Sequence, residues 1–106
     1  MTTFDKQEKA HEAKYAHDQE TEFKVMARRN KLLGLWVAEQ FGMNDDEAAA
    51  YAKEVVISDF DRPGDEDVFE KVDGDFKAKN VEMSEHRIRR QMEDLLIEAR
   101  DQIASE

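Results

Sequence analysis

The spacing of the apolar residues constrains this chain more than any other feature. In four segments, at about 20–41, 45–60, 66–79 and 85–104, apolar side chains recur every three or four positions, which is the repeat of one helical face. No window alternates apolar and polar residues over the length of a strand. We therefore predict an all-α fold, a small four-helix bundle in which short connections join antiparallel neighbours. The expected core residues are Phe23, Met26, Ala27, Leu32, Leu33, Leu35, Trp36, Val37 and Phe41 in the first segment, Ala48, Tyr51, Ala52, Val55, Val56 and Phe60 in the second, Val68, Phe69, Val72 and Phe76 in the third, and Ile88, Met92, Leu95, Leu96, Ala99 and Ile103 in the fourth.

Three breaks separate the four segments. Gly42 suits the left-handed residue that follows a helix C-terminus. Asn44 has a glutamate three residues later, and this pair predicts a capping box at the start of the second helix. Pro63 ends a helix, and Asp65 is expected to cap the next one. Ser84 is the expected N-cap of the last helix.

Gly34 interrupts the apolar run at 32–37, which we expect at the centre of the bundle. A glycine inside a helix costs about 1 kcal/mol relative to alanine. A close helix crossing at this position would explain that cost, whereas the alternative is that the glycine is merely tolerated. The sequence favours the close crossing.

The N-terminal segment, residues 1–19, differs from the bundle segment, residues 20–106. Its only large aromatic residues are Phe4 and Tyr15, so it has little to bury, and an isolated helix of this length is marginal in water. We expect a flexible arm or a helix that extends from the bundle. Phe4, Glu8, His11 and Tyr15 share one helical face, which either docks on the bundle or binds a partner and becomes ordered on contact.

Composition excludes several classes of function. The net charge of −10 argues against binding to nucleic acid or to an anionic membrane. The chain lacks an apolar run of the roughly 20 residues that a membrane span needs, and its N-terminus has no apolar stretch for a secretory signal. Without cysteine there is no disulfide or thiolate zinc site. These features together predict a cytoplasmic protein. We find no catalytic constellation and no Gly-rich phosphate loop, so we expect that it is not an enzyme and has no cofactor. We also expect it to be monomeric when free.

A basic patch is expected on the first helix, at Lys24, Arg28, Arg29 and Lys31. Residues 23–43 carry four basic and one acidic side chain, a net +3, whereas residues 44–75 carry three basic and twelve acidic side chains, a net −9. The simpler interpretation is attraction between the first helix and the acidic middle of the chain. The alternative is a binding site for phosphate or for an acidic partner.

The stretch 59–70 has acidic residues at five positions of a calcium-binding loop, with glycine at the sixth position. Pro63 stands where an oxygen donor is needed, so a helix end followed by an acidic first turn fits the stretch better than a metal site. The weak candidate ligands of a divalent cation are Asp59, Asp61, Asp65, Asp67 and Glu70.

The block ARRNKLLGLW at 27–36 resembles a small alphaproteobacterial family, formerly of unknown function, whose characterised member is the zeta subunit, an inhibitor of the F-type ATP synthase. Supporting likeness is found in TFD at 3–5, EAKYAHD at 12–18, YAKEVV at 51–56, GDEDV at 64–68 and SEH at 84–86. The likeness extends from about residue 2 to residue 103, and the block at 27–36 is its most specific part.

This resemblance implies a four-helix bundle whose N-terminal segment is inhibitory. In the family that segment is thought to enter the catalytic head between alpha and beta subunits, near gamma, and to block rotation in the direction of hydrolysis. The protein would then lie in the cytoplasm, at the inner face of the plasma membrane when bound, without inserting into it. The implied partner-binding residues are Phe4, Lys6, Glu8, Lys9, His11, Glu12, Lys14 and Tyr15. The alternative function is a helical adaptor or regulatory protein, with or without a weak cation site at 59–70.

Overall fold

The computed structural model describes the backbone of residues 3–59 and 65–106 and the side chains of residues 19–59 and 65–106. Within these ranges it contains four helices and no strand: α1 (Thr3–Gln40), α2 (Asp45–Ser58), α3 (Glu66–Ala78) and α4 (Glu85–Ala104). The predicted all-α bundle is confirmed, and the bounds of α2, α3 and α4 lie within two residues of the expected ones. The first helix is 38 residues long and includes the backbone of the N-terminal segment from Thr3 onward.

Three of the predicted helix ends are confirmed. Gly42 follows α1 with a φ of 71°, a left-handed backbone that favours glycine. The side chain of Asn44 accepts a hydrogen bond from the backbone N–H of Glu47, whose carboxylate accepts one from the N–H of Asn44. At α4 the Ser84 hydroxyl accepts a hydrogen bond from the backbone N–H of Arg87. These contacts satisfy amide groups that the first turn of each helix leaves without an intrahelical partner.

The expected cap at Asp65 is wrong. Asp65 precedes α3 with a helical backbone, and its side chain makes no capping hydrogen bond. Its carboxylate instead accepts a hydrogen bond of 2.8 Å from the Arg29 guanidinium of α1. The two confirmed caps, Asn44 and Ser84, have the extended backbone that is typical of an N-cap, whereas the backbone of Asp65 is helical. Pro63, the other residue predicted at this break, lies outside the described residues.

The core matches the predicted stripes best in α3, where all four expected residues are buried, and least well in α1. Phe23 is 60% exposed, and Leu35 lies at the surface, whereas Val25 and Ala38 are buried although neither was expected. The buried line of α1 is therefore rotated away from Phe23. The described core consists of Val25, Leu33, Val37 and Ala38 from α1, Tyr51, Ala52 and Val55 from α2, Val68, Phe69, Val72 and Phe76 from α3, and Ile88, Met92, Leu95 and Ala99 from α4. Phe60 lies outside the described residues.

The helices α1 and α2 cross closely at Gly34, as predicted. A Cβ atom placed on Gly34 would lie 2.5 Å from the Cα atom of Ala52, a distance that real Cβ atoms do not reach. Only a residue without a side chain lets the two backbones approach in this way. Nearby, the Trp36 ring of α1 meets the Phe76 ring of α3 edge to face, with ring centroids 6.0 Å apart.

Among the described residues, no helix combines the length and the apolar character that crossing a membrane requires.

Candidate functional site

The block at 27–36, the most distinctive part of the sequence, lies in α1 where this helix meets the rest of the bundle. The buried residues form two rows with a spacing of four. Val25, Arg29, Leu33 and Val37 make up the first row, and Asn30, Gly34 and Ala38 make up the second. An arginine and an asparagine thus occupy positions at which the helical repeat requires burial.

Arg29 is 1% exposed, and its charge is matched inside the protein. Its Nε donates a hydrogen bond of 2.6 Å to Oδ1 of Asn30, and its Nη2 donates one of 2.8 Å to Oδ1 of Asp65. The Asp65 side chain is 51% exposed, so the ion pair connects the buried interior with the surface. Because burial of an unpaired charge is costly, this pair fixes the residue that precedes α3 against α1.

Asn30 is also 1% exposed and belongs to the same cluster. Its Oδ1 accepts from Arg29, while its Nδ2 has no hydrogen-bond partner among the described residues. The sequence interpretation missed the burial of both residues. The sequence did contain a signal for the burial of Arg29. Val25, Leu33 and Val37 stand at i, i+8 and i+12 of one helical row, and Arg29 is the i+4 member of that row.

Three of the four residues of the expected basic patch lie along one surface of α1, and the fourth, Arg29, is buried. Lys24 and Lys31 are exposed, and Arg28 is partly exposed between them, whereas Arg29 does not reach this surface. Arg28 Nη1 donates a hydrogen bond of 2.7 Å to Oε1 of Gln102, and its Nη2 forms an ion pair with the Glu106 carboxylate. Arg29 pairs with the acidic middle of the chain, as the simpler interpretation expects of basic residues on the first helix, and Arg28 pairs with the C-terminal end.

The eight residues expected to bind a partner all belong to the N-terminal segment. They lie in the part of α1 between Thr3 and residue 18, where the backbone is helical. Their side chains are outside the described residues, so their role stays a prediction. These residues are Phe4, Lys6, Glu8, Lys9, His11, Glu12, Lys14 and Tyr15.

An ion pair joins α1 to α4 near the start of the bundle. Both terminal nitrogens of Arg100 donate hydrogen bonds of 2.8 Å to the two carboxylate oxygens of Glu22. The hydrogen bonds from Arg100 hold the pKa of Glu22 below its ordinary value, and the same contact raises the pKa of Arg100. This two-fold contact links α1 to α4 at the surface of the bundle, where both side chains are about half exposed.

The candidate cation ligands do not form a metal site among the described residues. No group of three or more acidic or histidine side chains with suitable geometry is present in that part of the chain. Asp65 binds Arg29, and Asp59 caps the C-terminus of α2. Asp67 lies in the first turn of α3, and Glu70 lies one turn further along the same helix. Asp61 lies outside the described residues.

Comparisons with known proteins identify relatives of the chain. A family model described as ATPase inhibitor subunit zeta matches residues 1–102. No curated protein matches. One solved structure, determined by solution NMR, is 49% identical, with a TM-score of 0.71 over 79% of this chain and 95% of that chain. The family match includes the N-terminal segment as well as the four helices of the bundle.

Proposed function

Since the chain belongs to the ATPase inhibitor subunit zeta family, we propose that it inhibits ATP hydrolysis by an F-type ATP synthase. Residues 1–19 act as the inhibitory arm, and residues 20–106 form the bundle that carries it. The arm inserts at an interface between alpha and beta subunits of the catalytic head, near gamma. In this role the chain is a regulatory protein and not an enzyme, and it lies at the cytoplasmic side of the membrane that holds the synthase.

One observation carries this proposal: among the residues whose side chains the structure describes, core members come from all four helices, between Val25 and Ala99. The bundle segment, residues 20–106, therefore supplies apolar core residues from every helix. The arm has few large apolar residues of its own. A segment of this kind gains its apolar contacts from a partner and becomes ordered when it binds.

The anchors in this proposal are Phe4 and Tyr15, the two aromatic residues of the arm. Insertion into a closing subunit interface would bury their rings, which is the usual source of affinity at such contacts. The charged residues between them set the register and the orientation of the arm. These are Lys6, Glu8, Lys9, Glu12 and Lys14, with His11 on the face of Phe4 and Tyr15. The bundle is too wide to follow and stops the arm outside the interface.

The test is deletion of residues 1–18. We expect the remaining chain to keep its helical circular dichroism spectrum and a cooperative thermal transition, because the described core is intact. It should no longer inhibit ATP hydrolysis by the catalytic head of the cognate synthase in a steady-state assay. A second test variant is the full chain with Phe4→Ser and Tyr15→Ser, which keeps the length, loses both anchors and should also lose inhibition.

Full inhibition by the truncated chain would refute the role of the arm. Loss of inhibition together with loss of the thermal transition would show that residues 1–18 are part of the fold, which also contradicts the proposal. If the intact chain does not inhibit and does not retain alpha and beta subunits in affinity capture, the adaptor function replaces the inhibitor function.

A further inference from the structure

A groove of about 360 Å³ lies between α1, α2 and α4, on the bundle and not on the arm. Its floor is apolar, with Ala27, Val56 and Ile103 half-buried. Phe23, at its rim, is 60% exposed, and this is the residue that the sequence pattern had assigned to the core. A large aromatic side chain beside an apolar groove is typical of a surface that contacts another protein.

Three cations border the groove along α1. Lys24, Arg28 and Lys31 follow one another at i, i+4 and i+7, so they lie on one side of the helix. Among the described residues, Lys24 and Lys31 make no ion pair. In a chain with a net charge of −10, this row is a local surface of opposite sign. An acidic partner is repelled by most of the molecule and attracted here, which selects one orientation of approach.

The chain itself shows how the groove holds a carboxylate. Glu106, which also lines the groove, places its side-chain carboxylate on the Arg28 guanidinium, and Gln102 accepts a second hydrogen bond from Arg28. Arg28 is therefore oriented towards the groove by acceptors that another carboxylate can replace. The Glu22 carboxylate, close by on α1, is bound to Arg100.

We propose that this groove is a second docking site, which binds an exposed segment of the inhibited ATPase that carries acidic residues next to an apolar one. The proposal rests on the inhibitory function proposed above and adds a contact made by the bundle. Phe23 and Lys24 lie one to two turns beyond residue 18 on the same helix. A partner that binds the arm is therefore close to the groove as well. Two linked contacts bind more tightly than either one alone.

The test is the double charge reversal Lys24→Glu and Lys31→Glu in the full chain. The control is Lys53→Glu and Arg87→Glu, which removes the same charge at two exposed cations that do not line the groove. The measurement is the concentration of protein that gives half-maximal inhibition of ATP hydrolysis by the purified catalytic head. We expect the groove variant to need roughly 10-fold more protein and the control variant less than about 2-fold more. Raising the salt concentration should weaken inhibition by the wild type more than inhibition by the groove variant.

The outcomes separate the two proposals. If the wild type does not inhibit, the proposed function fails. If the wild type inhibits and the groove variant inhibits equally well, the docking site is refuted. The docking site is also refuted if the control variant is weakened as much as the groove variant. Circular dichroism should show the same helix content for all variants. If the charge reversal unfolds the chain, the double variant Lys24→Gln and Lys31→Gln replaces it as the milder test. A change in oligomeric state of the groove variant in analytical ultracentrifugation would assign the groove to a second copy and overturn the proposal.

Discussion

The two halves of α1 belong to one helix and differ in what can stabilise them. The second half, from Glu22 to Gln40, contributes four residues to the core and makes the close crossing with α2. The first half, residues 3–18, is rich in good helix formers and has only Phe4 and Tyr15 as large apolar residues. Because extension of an existing helix needs no new nucleus, the second half supplies the nucleus from which the first half can continue.

This difference predicts which property of the protein a substitution in each half will change. A change in the second half alters contacts within the chain and is expected to change the free energy of unfolding. A change in the first half alters contacts that the proposed function assigns to a partner and is expected to change inhibition instead. Three predictions for contacts that the second half makes test this division, because each substitution should lower stability without removing the anchors of the arm.

The largest effect is expected for Gly34→Ala, since the new methyl group would lie 2.5 Å from the Cα atom of Ala52. Overpacking against backbone outweighs the helix-propensity gain, so we expect a net loss of about 2–3 kcal/mol in the free energy of unfolding. Urea unfolding followed by circular dichroism measures it. The matched control is Gly74→Ala on α3, where a Cβ atom meets nothing within 4 Å, and which should add about 0.5–1 kcal/mol. Equal effects at the two glycines would contradict the close crossing.

A loss of about 2 kcal/mol is expected for Asp65→Ala, which leaves the buried Arg29 guanidinium without its carboxylate partner. The half-exposed position of Asp65 keeps the loss below that of a fully buried pair. Asp46→Ala, an exposed acid in the first turn of α2, is the control and should change stability by less than about 0.5 kcal/mol. The double variant Arg29→Met and Asp65→Ala should be more stable than the sum of the single effects predicts, and strict additivity would argue against the pair.

The smallest effect is expected at the boundary of the two halves, for Glu22→Gln. The folded-state pKa of Glu22 is lowered by Arg100, so its contribution to stability is complete above the unfolded pKa of about 4.3 and is lost as the pH falls through the lower folded value. Since both side chains are about half exposed, we expect a difference of about 0.5 kcal/mol from the wild type at pH 7. Thermal unfolding at pH 7 and at pH 3 should show this difference shrinking at the lower pH. A difference that grows at pH 3 would reverse the assigned sign.

The helix bounds and most of the core could be predicted because they depend on local rules. Gly42, Asn44 and Ser84 satisfy the ends of their own helices, so neighbours in the sequence are sufficient to identify them. The core residues of α3 could also be predicted from the sequence, because its short apolar stripe leaves one possible buried face. The close helix crossing at Gly34 could be predicted because a glycine inside a strong helical pattern suggests close packing. The backbone of Ala52 is the neighbour that packs there.

The errors arose where a distant residue decides the outcome. Asp65 looked like a cap because its neighbours favour one, but a guanidinium 36 residues earlier in the chain takes its carboxylate. Arg29 looked like a surface residue because arginine usually is one, and the partner that allows its burial is not a sequence neighbour. Phe23 looked like core because it is apolar, although the rotation of α1 is set by Val25 and its row. In the proposed function the arm makes its contacts with another molecule, so the sequence rules for this chain's own fold do not predict them.

The edge-to-face contact between Trp36 and Phe76 has a practical consequence. Trp36 is the single tryptophan of the chain, and it lies in the second half of α1 against α3. Its fluorescence emission therefore reports on the closure of the bundle, while a label attached near residue 4 reports on the arm. One sample thus carries two separate optical signals, and a mixture with the ATPase can be followed through both at once.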